Sequence, residues 1–352
     1  MSDHFAPITA LAILVRRSCE QAERANLTQG MQEQLAILSH RIERIRTFKG
    51  AAVSKRIGVF GAPNRGKSTL LNTLLRQELL PTSPVPLSTT TIEIERESSL
   101  DNWELVVNHA SGRIEQRDAS SAEEVARLLE AFGSRRGASP AVRLRLKGAF
   151  PDCRILDRGG VLLDTPGAEL AFEVGPDLAQ ESKRALEALA DTHVVLFCMR
   201  ADQLGSRSDS EFYEQHIRSL APVHVVTMRD KWQDDAGLLV DEVLAKYGLA
   251  QSEPVLVSAK FAKDAYGDAV KLVESGIPAL EDRILAELDR LSPEHGLLPC
   301  LKAFQLTTEG EQSAQPESIH FQNLHHAIKG LNNDWCRSAW AFIERNTQFW
   351  KI

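Results

Sequence analysis

Cysteine is scarce and scattered in this 352-residue chain: Cys19, Cys153, Cys198, Cys300 and Cys336 are odd in number and show no C-x-x-C spacing. That pattern excludes a disulfide framework and a thiolate zinc site, and the thiols read as reduced core residues. Long hydrophobic runs are lacking as well. No stretch of about 18 apolar residues exists, so a membrane-spanning helix is not expected. The opening MSDHFAPITALAILVRRSCE begins acidic and its apolar segment is too short for a secretory signal, so the chain is expected in the cytosol. There is no excess of basic charge: 41 Lys and Arg stand against 48 Asp and Glu, a net charge of −7. A surface built to grip a phosphate backbone needs the opposite sign, so nucleic acid is not an expected partner. No internal repeat occurs at a solenoid period, which excludes a repeat array.

What remains is a globular α/β pattern. The hydrophobic fraction of 43% and charged fraction of 25% suit a chain with a sizeable core, and the length suits two domains or one large domain with attachments. Between Lys55 and about Arg290 apolar strand candidates alternate with amphipathic helices: RIGVF, TTIEIER, WELVVNH, AVRLRLKG, GGVLLD, HVVLFCM, VHVVTM and PVLVSA. That alternation predicts a largely parallel sheet covered by helices. Before it, Leu35, Leu38, Ile42 and Ile45 keep a helical period; after the break at LSPEHGLLP, a polar stretch leads to a long helical pattern carrying Leu324, Ile328, Leu331, Trp335, Trp340 and Phe342. A single helix cannot bury its apolar stripe alone, so residues 1–53 and 291–352 are expected to pack together as a bundle beside a central domain over 54–290.

The chemistry-bearing residues stand at strand ends. GAPNRGKST, residues 61–69, has the form G-x-x-x-x-G-K-[ST], entered by a strand and left by a helix that includes Leu70, Leu71, Leu74 and Leu75. In that context successive backbone N–H groups and the helix N-terminus wrap a β-phosphate, Lys67 reaches the β and γ oxygens, and Ser68 ligates magnesium. Gly61 and Gly66 keep the backbone open to the phosphates; Thr69 continues the loop into its helix. Downstream, GGVLLDTPG ends at Asp164, a magnesium candidate, with the Gly167 N–H placed for a γ-phosphate. VHVVTMRD ends at Thr227, Met228, Arg229 and Asp230, and PVLVSAK at Ser258, Ala259 and Lys260. Four strand ends in chain order fit a ligand site at the carboxyl edge of an α/β sheet.

These motifs resemble those of the dynamin-like large GTPases, especially the bacterial ones, on NRGKSTLLNTLL, LLPTSPVPLSTTTIEIE, and SAEEVARLLEAF followed by AVRLRLKGAFPDCRILDRGGVLLDTPG. The resemblance runs from about Lys55 to Ala286. It implies a P-loop GTPase domain binding GTP or GDP with magnesium, hydrolysis coupled to homodimerisation through the nucleotide face, and flanking helices that form a bundle. Peripheral membrane attachment, or remodelling of a membrane or partner protein, is implied only by analogy. The guanine motif departs from the family in carrying Met228 where lysine is usual; the TMRD form is similar to that of guanylate-binding proteins and atlastins, and selectivity then rests on Asp230, whose carboxylate accepts from the guanine edge. No glutamine follows Gly167, where Ala168 and Glu169 stand. The resemblance therefore places the magnesium-binding and water-holding hydroxyl of the first switch at Ser88, or at Thr89 if the loop is one residue longer. It also implies that Asn64, in a PNRGKS loop like that of potassium-dependent GTPases, either recruits a potassium ion or shapes the turn. Arg65 is a second charged candidate, expected to pair with an acidic side chain at the surface.

Two other readings stay open at this point: an assembly GTPase similar to Era, which would act on ribosome or RNA and need a basic domain, and a scaffold that binds nucleotide without turnover. Trp335, Trp340 and Trp350 suit either a contact face or a core, and His325-His326 a solvated helix face.

Overall fold

The computed structural model describes residues 55–82, 90–109, 111–133, 141–166, 191–232, 235–248, 253–265 and 268–290, together with 185, 187–189 and four positions between 32 and 39. The chain divides into two units, residues 54–290 and a second made of 1–53 with 291–352. In the second unit Leu35 and Leu38 are helical and buried; the rest of the expected bundle, the three late tryptophans and His325-His326 lie outside the described residues.

Residues 54–290 build a nine-stranded sheet: β1 (Lys55–Phe60), β2 (Thr91–Arg96), β3 (Trp103–His109), β4 (Ile114–Ala119), β5 (Ala141–Gly148), β6 (Gly160–Asp164), β7 (Val194–Arg200), β8 (Val223–Thr227) and β9 (Val255–Leu256), in the order β4-β3-β5-β2-β6-β1-β7-β8-β9. From β6 to β9 every pairing is parallel. The parallel half has the run-on hydrophobic strands that burial on both faces demands: VLLD, VVLFCM and VHVV are buried throughout. The other half is mixed, because β2 runs parallel to β5 but antiparallel to β6, and β3 is antiparallel to both β4 and β5. β4, IEQRDA, has no counterpart among the strands expected from sequence. It is an exposed edge strand whose charged residues give no apolar alternation, and its ladder is the hairpin to β3.

The helices whose ends fall among the described residues are α1 (Lys67–Leu75), α2 (Ala122–Gly133), α3 (Arg154–Asp157), α4 (Arg207–Phe212), α5 (Ala236–Tyr247), α6 (Ala259–Asp264), α7 (Ala269–Glu274) and α8 (Ile277–Arg290). Local chemistry sets their ends. Asp235 caps α5 by accepting from the Gly237 N–H at 2.6 Å, and Gly248 closes it at φ 61°; Ser258 caps α6 through the Phe261 N–H at 3.1 Å. One core cluster joins Phe60, Val195, Phe197 and Met199 on the sheet to Phe212, Tyr213, Leu239, Val243 and Tyr247 on the helical layer. Each large apolar side chain buried there contributes roughly 1.5–3 kcal/mol. That core fixes the edge where β1, β7 and β8 end.

β2 carries one exception to apolar alternation. Glu93 is buried at mid-strand and lies 2.9 Å from Arg56, 3.4 Å from Arg143 and 3.1 Å from Arg145, while Asp191 lies 2.9 Å from Arg56. A buried carboxylate persists only where such partners replace its water.

Candidate nucleotide-binding site

The loop leaving β1 takes a shape that few residues tolerate. Gly61 sits at φ 144°, and a Cβ there would come within 2.5 Å of the Cys198 carbonyl on the neighbouring strand. Asn64 (φ 60°) and Gly66 (φ 79°) are both left-handed. Asparagine is among the side chains that accept this region. Asn64 itself is exposed. The Lys67 ammonium is buried and folds back over the loop, donating to the carbonyls of Gly61 and Ala62 at 2.9 Å each. Burial holds it below its ordinary pKa, against the opposing attraction of Asp164.

Asp164 ends β6 beside β1, as the parallel register requires. Its Oδ2 accepts from the Ser68 hydroxyl at 2.8 Å, while the buried Oδ1 has no hydrogen-bond partner. Burial pushes its pKa up to about 6, and Ser68 and Lys67 pull in the other direction. A hydroxyl and a carboxylate with an orphaned oxygen form a hard, oxygen-only donor set that fits magnesium. Thr165, next along, donates to the Val59 carbonyl at 2.6 Å and ties this strand end to the loop's entry.

Two further strand ends close the site. The Thr227 hydroxyl is 2.7 Å from the Arg65 carbonyl and 3.1 Å from that of Met199, bracing the phosphate loop against β7 and β8. Met228 is left-handed at φ 57°, and its terminal methyl lies 3.7 Å from where a Cβ on Gly66 would stand. The Asp230 carboxylate accepts from the Ser258 hydroxyl at 2.6 Å, which joins the TMRD and SAK segments into one wall. Arg229 donates its backbone N–H to the Val257 carbonyl and its guanidinium to the Trp232 carbonyl, at 3.1 and 3.3 Å; Lys260 is exposed on α6. Gly61, Asn64, Gly66, Lys67, Ser68, Thr69, Asp164, Thr227, Asp230, Ser258 and Ala259 are thus brought to one sheet edge. Ser88, Thr89 and Gly167 lie outside the described residues.

Arg65 departs from expectation. It pairs with an acid, but in the interior: its Nε is 2.8 Å from Asp209 Oδ2, and the two side chains are 7% and 0% exposed. Asp209 was not singled out from sequence, although Ser206-Arg207-Ser208-Asp209 carries the S-x-x-D signature of a helix start. Cys153 and Cys198 are buried and free, as expected, with burial pushing the Cys198 thiol up to about 12.

The strand-loop-helix with its lysine, the metal-competent Ser68–Asp164 pair and the Thr227–Asp230–Ser258 wall define a P-loop nucleotide-binding α/β domain. Residues 57–229 match the sequence model of the Dynamin family, and this segment is a dynamin-family GTPase domain. A tRNA modification GTPase, MnmE, of Maricaulis maris is 33% identical over 122 residues, covering 35% of this chain and 25% of that protein. A solved structure of an oligomerised bacterial dynamin pair, described as sensing and tethering membranes over long range, aligns with a TM-score of 0.50 at 16% identity, covering 100% of this chain and 65% of the other. Era of Aquifex aeolicus bound to GDP and aluminium fluoride aligns at a TM-score of 0.39 and 21% identity, over 66% of this chain and 56% of its own. The chain thus spans about a quarter of the length of its curated relative and under two thirds of these solved chains.

Proposed function

We propose that the chain binds GTP and hydrolyses it with magnesium, and that two copies meet through their nucleotide faces to do so. One observation carries the nucleotide and magnesium part of this reading: the Asp164 carboxylate, buried with an unpartnered oxygen, faces the Ser68 hydroxyl and the Lys67 ammonium on a dynamin-family domain. Magnesium held there would neutralise charge developing on the phosphate oxygens. Lys67 orients the β and γ phosphates, the loop's N–H groups hold the β-phosphate, and the Asp230 carboxylate accepts from the guanine N1–H and N2–H edge while Ser258 fixes it. Ser88 or Thr89 supplies the switch hydroxyl, and the Gly167 N–H meets the γ-phosphate. No glutamine follows Gly167, and Asn64 would help hold a potassium ion that would supply the remaining positive charge once pairing of two faces orders the first switch.

The bacterial dynamin likeness supports peripheral action at a membrane, with residues 1–53 and 291–352 as the bundle that transmits the nucleotide state. Among the described residues no helix is long and apolar enough to cross a membrane. The similarity to MnmE, a tRNA modification GTPase, favours a second reading, a GTPase acting on RNA. GTP turnover measured over a range of protein concentrations, with liposomes or with RNA added, tests both. The dynamin-like reading expects turnover per molecule to rise with concentration and with liposomes; a rate flat in concentration and raised by RNA alone would replace it with the second.

A further inference from the structure

Asp209 lies at the start of α4, on the segment that follows β7, and takes no part in the nucleotide contacts assigned above. Its carboxylate is nevertheless built into the phosphate loop. Oδ1 accepts from the Ala62 N–H at 3.3 Å, and Oδ2 accepts from the Ser206 hydroxyl at 2.8 Å and faces the Arg65 guanidinium. Arg65 completes the clamp by donating to Gln203 Oε1 at 2.6 Å and to Ser206 Oγ at 2.8 Å. The segment over residues 203–209 therefore grips the loop from behind at two points, Ala62 and Arg65. Between and beyond them stand the left-handed Asn64 and Gly66, a conformation that persists only where the surroundings over-determine it.

We propose that Asp209 is a positioning residue for nucleotide binding. Through Arg65 and the Ala62 N–H it holds the phosphate loop in its binding shape, and it keeps the Arg65 guanidinium in the interior, unavailable as a charge at the reacting phosphates. The inference rests on the GTP-binding reading above. The loop N–H groups already hold the β-phosphate in the bound nucleotide, so the binding that Asp209 secures is made before the chemical step, and loosening it is expected to lower affinity more than kcat. Removing either partner also leaves the other charge buried and uncompensated, so both sides of the pair report on one device.

The test compares the parent chain with Asp209→Asn, Arg65→Gln and the double variant. It measures GDP affinity and the KM and kcat for GTP, well below each variant's unfolding midpoint. Each single variant is expected to raise the GDP Kd and the KM about tenfold or more with kcat within about threefold, and the double variant to be no worse than the weaker single one, since coupled residues are not additive. Arg65→Gln carries the test if Asp209→Asn fails to fold. Parent-like KM in a folded single variant would overturn the proposal, and so would lost kcat at unchanged KM, which would put Arg65 at the reacting phosphates. A parent chain that binds GDP but leaves GTP intact would defeat only the hydrolysis reading, with the affinity changes still deciding this one. A parent that binds neither nucleotide overturns both.

Discussion

Replacing Asp164 by asparagine should make the nucleotide-free chain more stable while crippling its turnover. The carboxyl is buried, and its pKa is raised from 3.8 to about 6, burial being the main cause. The folded state thus binds the proton more tightly than the unfolded chain, so the penalty for holding the ionised form is complete above pH 6 and disappears as pH falls through 6 toward 3.8. A shift of about two units corresponds to roughly 3 kcal/mol. Asparagine is nearly isosteric, keeps an acceptor for the Ser68 hydroxyl and carries no charge, so it removes that penalty. For a domain of this size about 3 kcal/mol translates into a rise of roughly 6–12 °C in Tm. Thermal unfolding in EDTA without nucleotide, at pH 7.5 and again near pH 4, measures it. The variant's advantage should appear at the higher pH and vanish at the lower one. Adding GDP and magnesium should stabilise the parent more than the variant. An Asp164→Asn chain no more stable than the parent at pH 7.5 would refute the idea that Asp164 is a buried charge that Ser68 and Lys67 compensate only in part.

Other outcomes follow from the same geometry. His216 and His224 are buried and held neutral, their pKa values lowered to about 4 chiefly by burial; the unfolded chain protonates first as pH drops from 6.5, so stability should fall between pH 6.5 and 4 by about 3 kcal/mol per histidine. Urea midpoints across that range would check it, and a flat profile would contradict it. Asp230→Asn should exchange guanine for xanthine preference, since the amide donates where the carboxylate accepted; competition binding that still favours GTP over XTP would assign base reading to another group. Turnover should be faster in potassium than in sodium at equal ionic strength, and Asn64→Ala should erase that difference while GTP affinity stays within about tenfold, roughly 1.4 kcal/mol. Equal parent rates in both salts would leave Asn64 its turn-shaping role alone.

How much could be read from sequence varies with the kind of signal. The phosphate loop, Asp164 and the Thr227 and Ser258 strand ends were legible because each combines a buried apolar strand with a residue type that the chemistry requires. β4 escaped because an edge strand with one exposed polar face carries no apolar alternation. The antiparallel placement of β2 beside β6 escaped too, since TIEIER reads the same in either direction and nothing local sets its neighbour. Asp209 was hidden for a different reason: its partners Ala62 and Arg65 lie more than a hundred residues away, and the S-x-x-D pattern predicts only a helix start. The buried Glu93 among three arginines likewise exists only once β5, β2, β6 and β1 are laid in that order across the sheet.

Phosphate release from GTP and from ATP, measured for the parent chain and for Lys67→Ala with magnesium or with EDTA, tests the hydrolysis assignment most directly. Lys67 donates only to loop carbonyls and is not part of the apolar core, so the variant should fold and bind no nucleotide. The expected result is release from GTP alone, by the parent alone, and only with magnesium present. A folded parent that leaves GTP intact in magnesium and potassium at every protein concentration, or a Lys67→Ala chain that hydrolyses GTP at the parent rate, would contradict it.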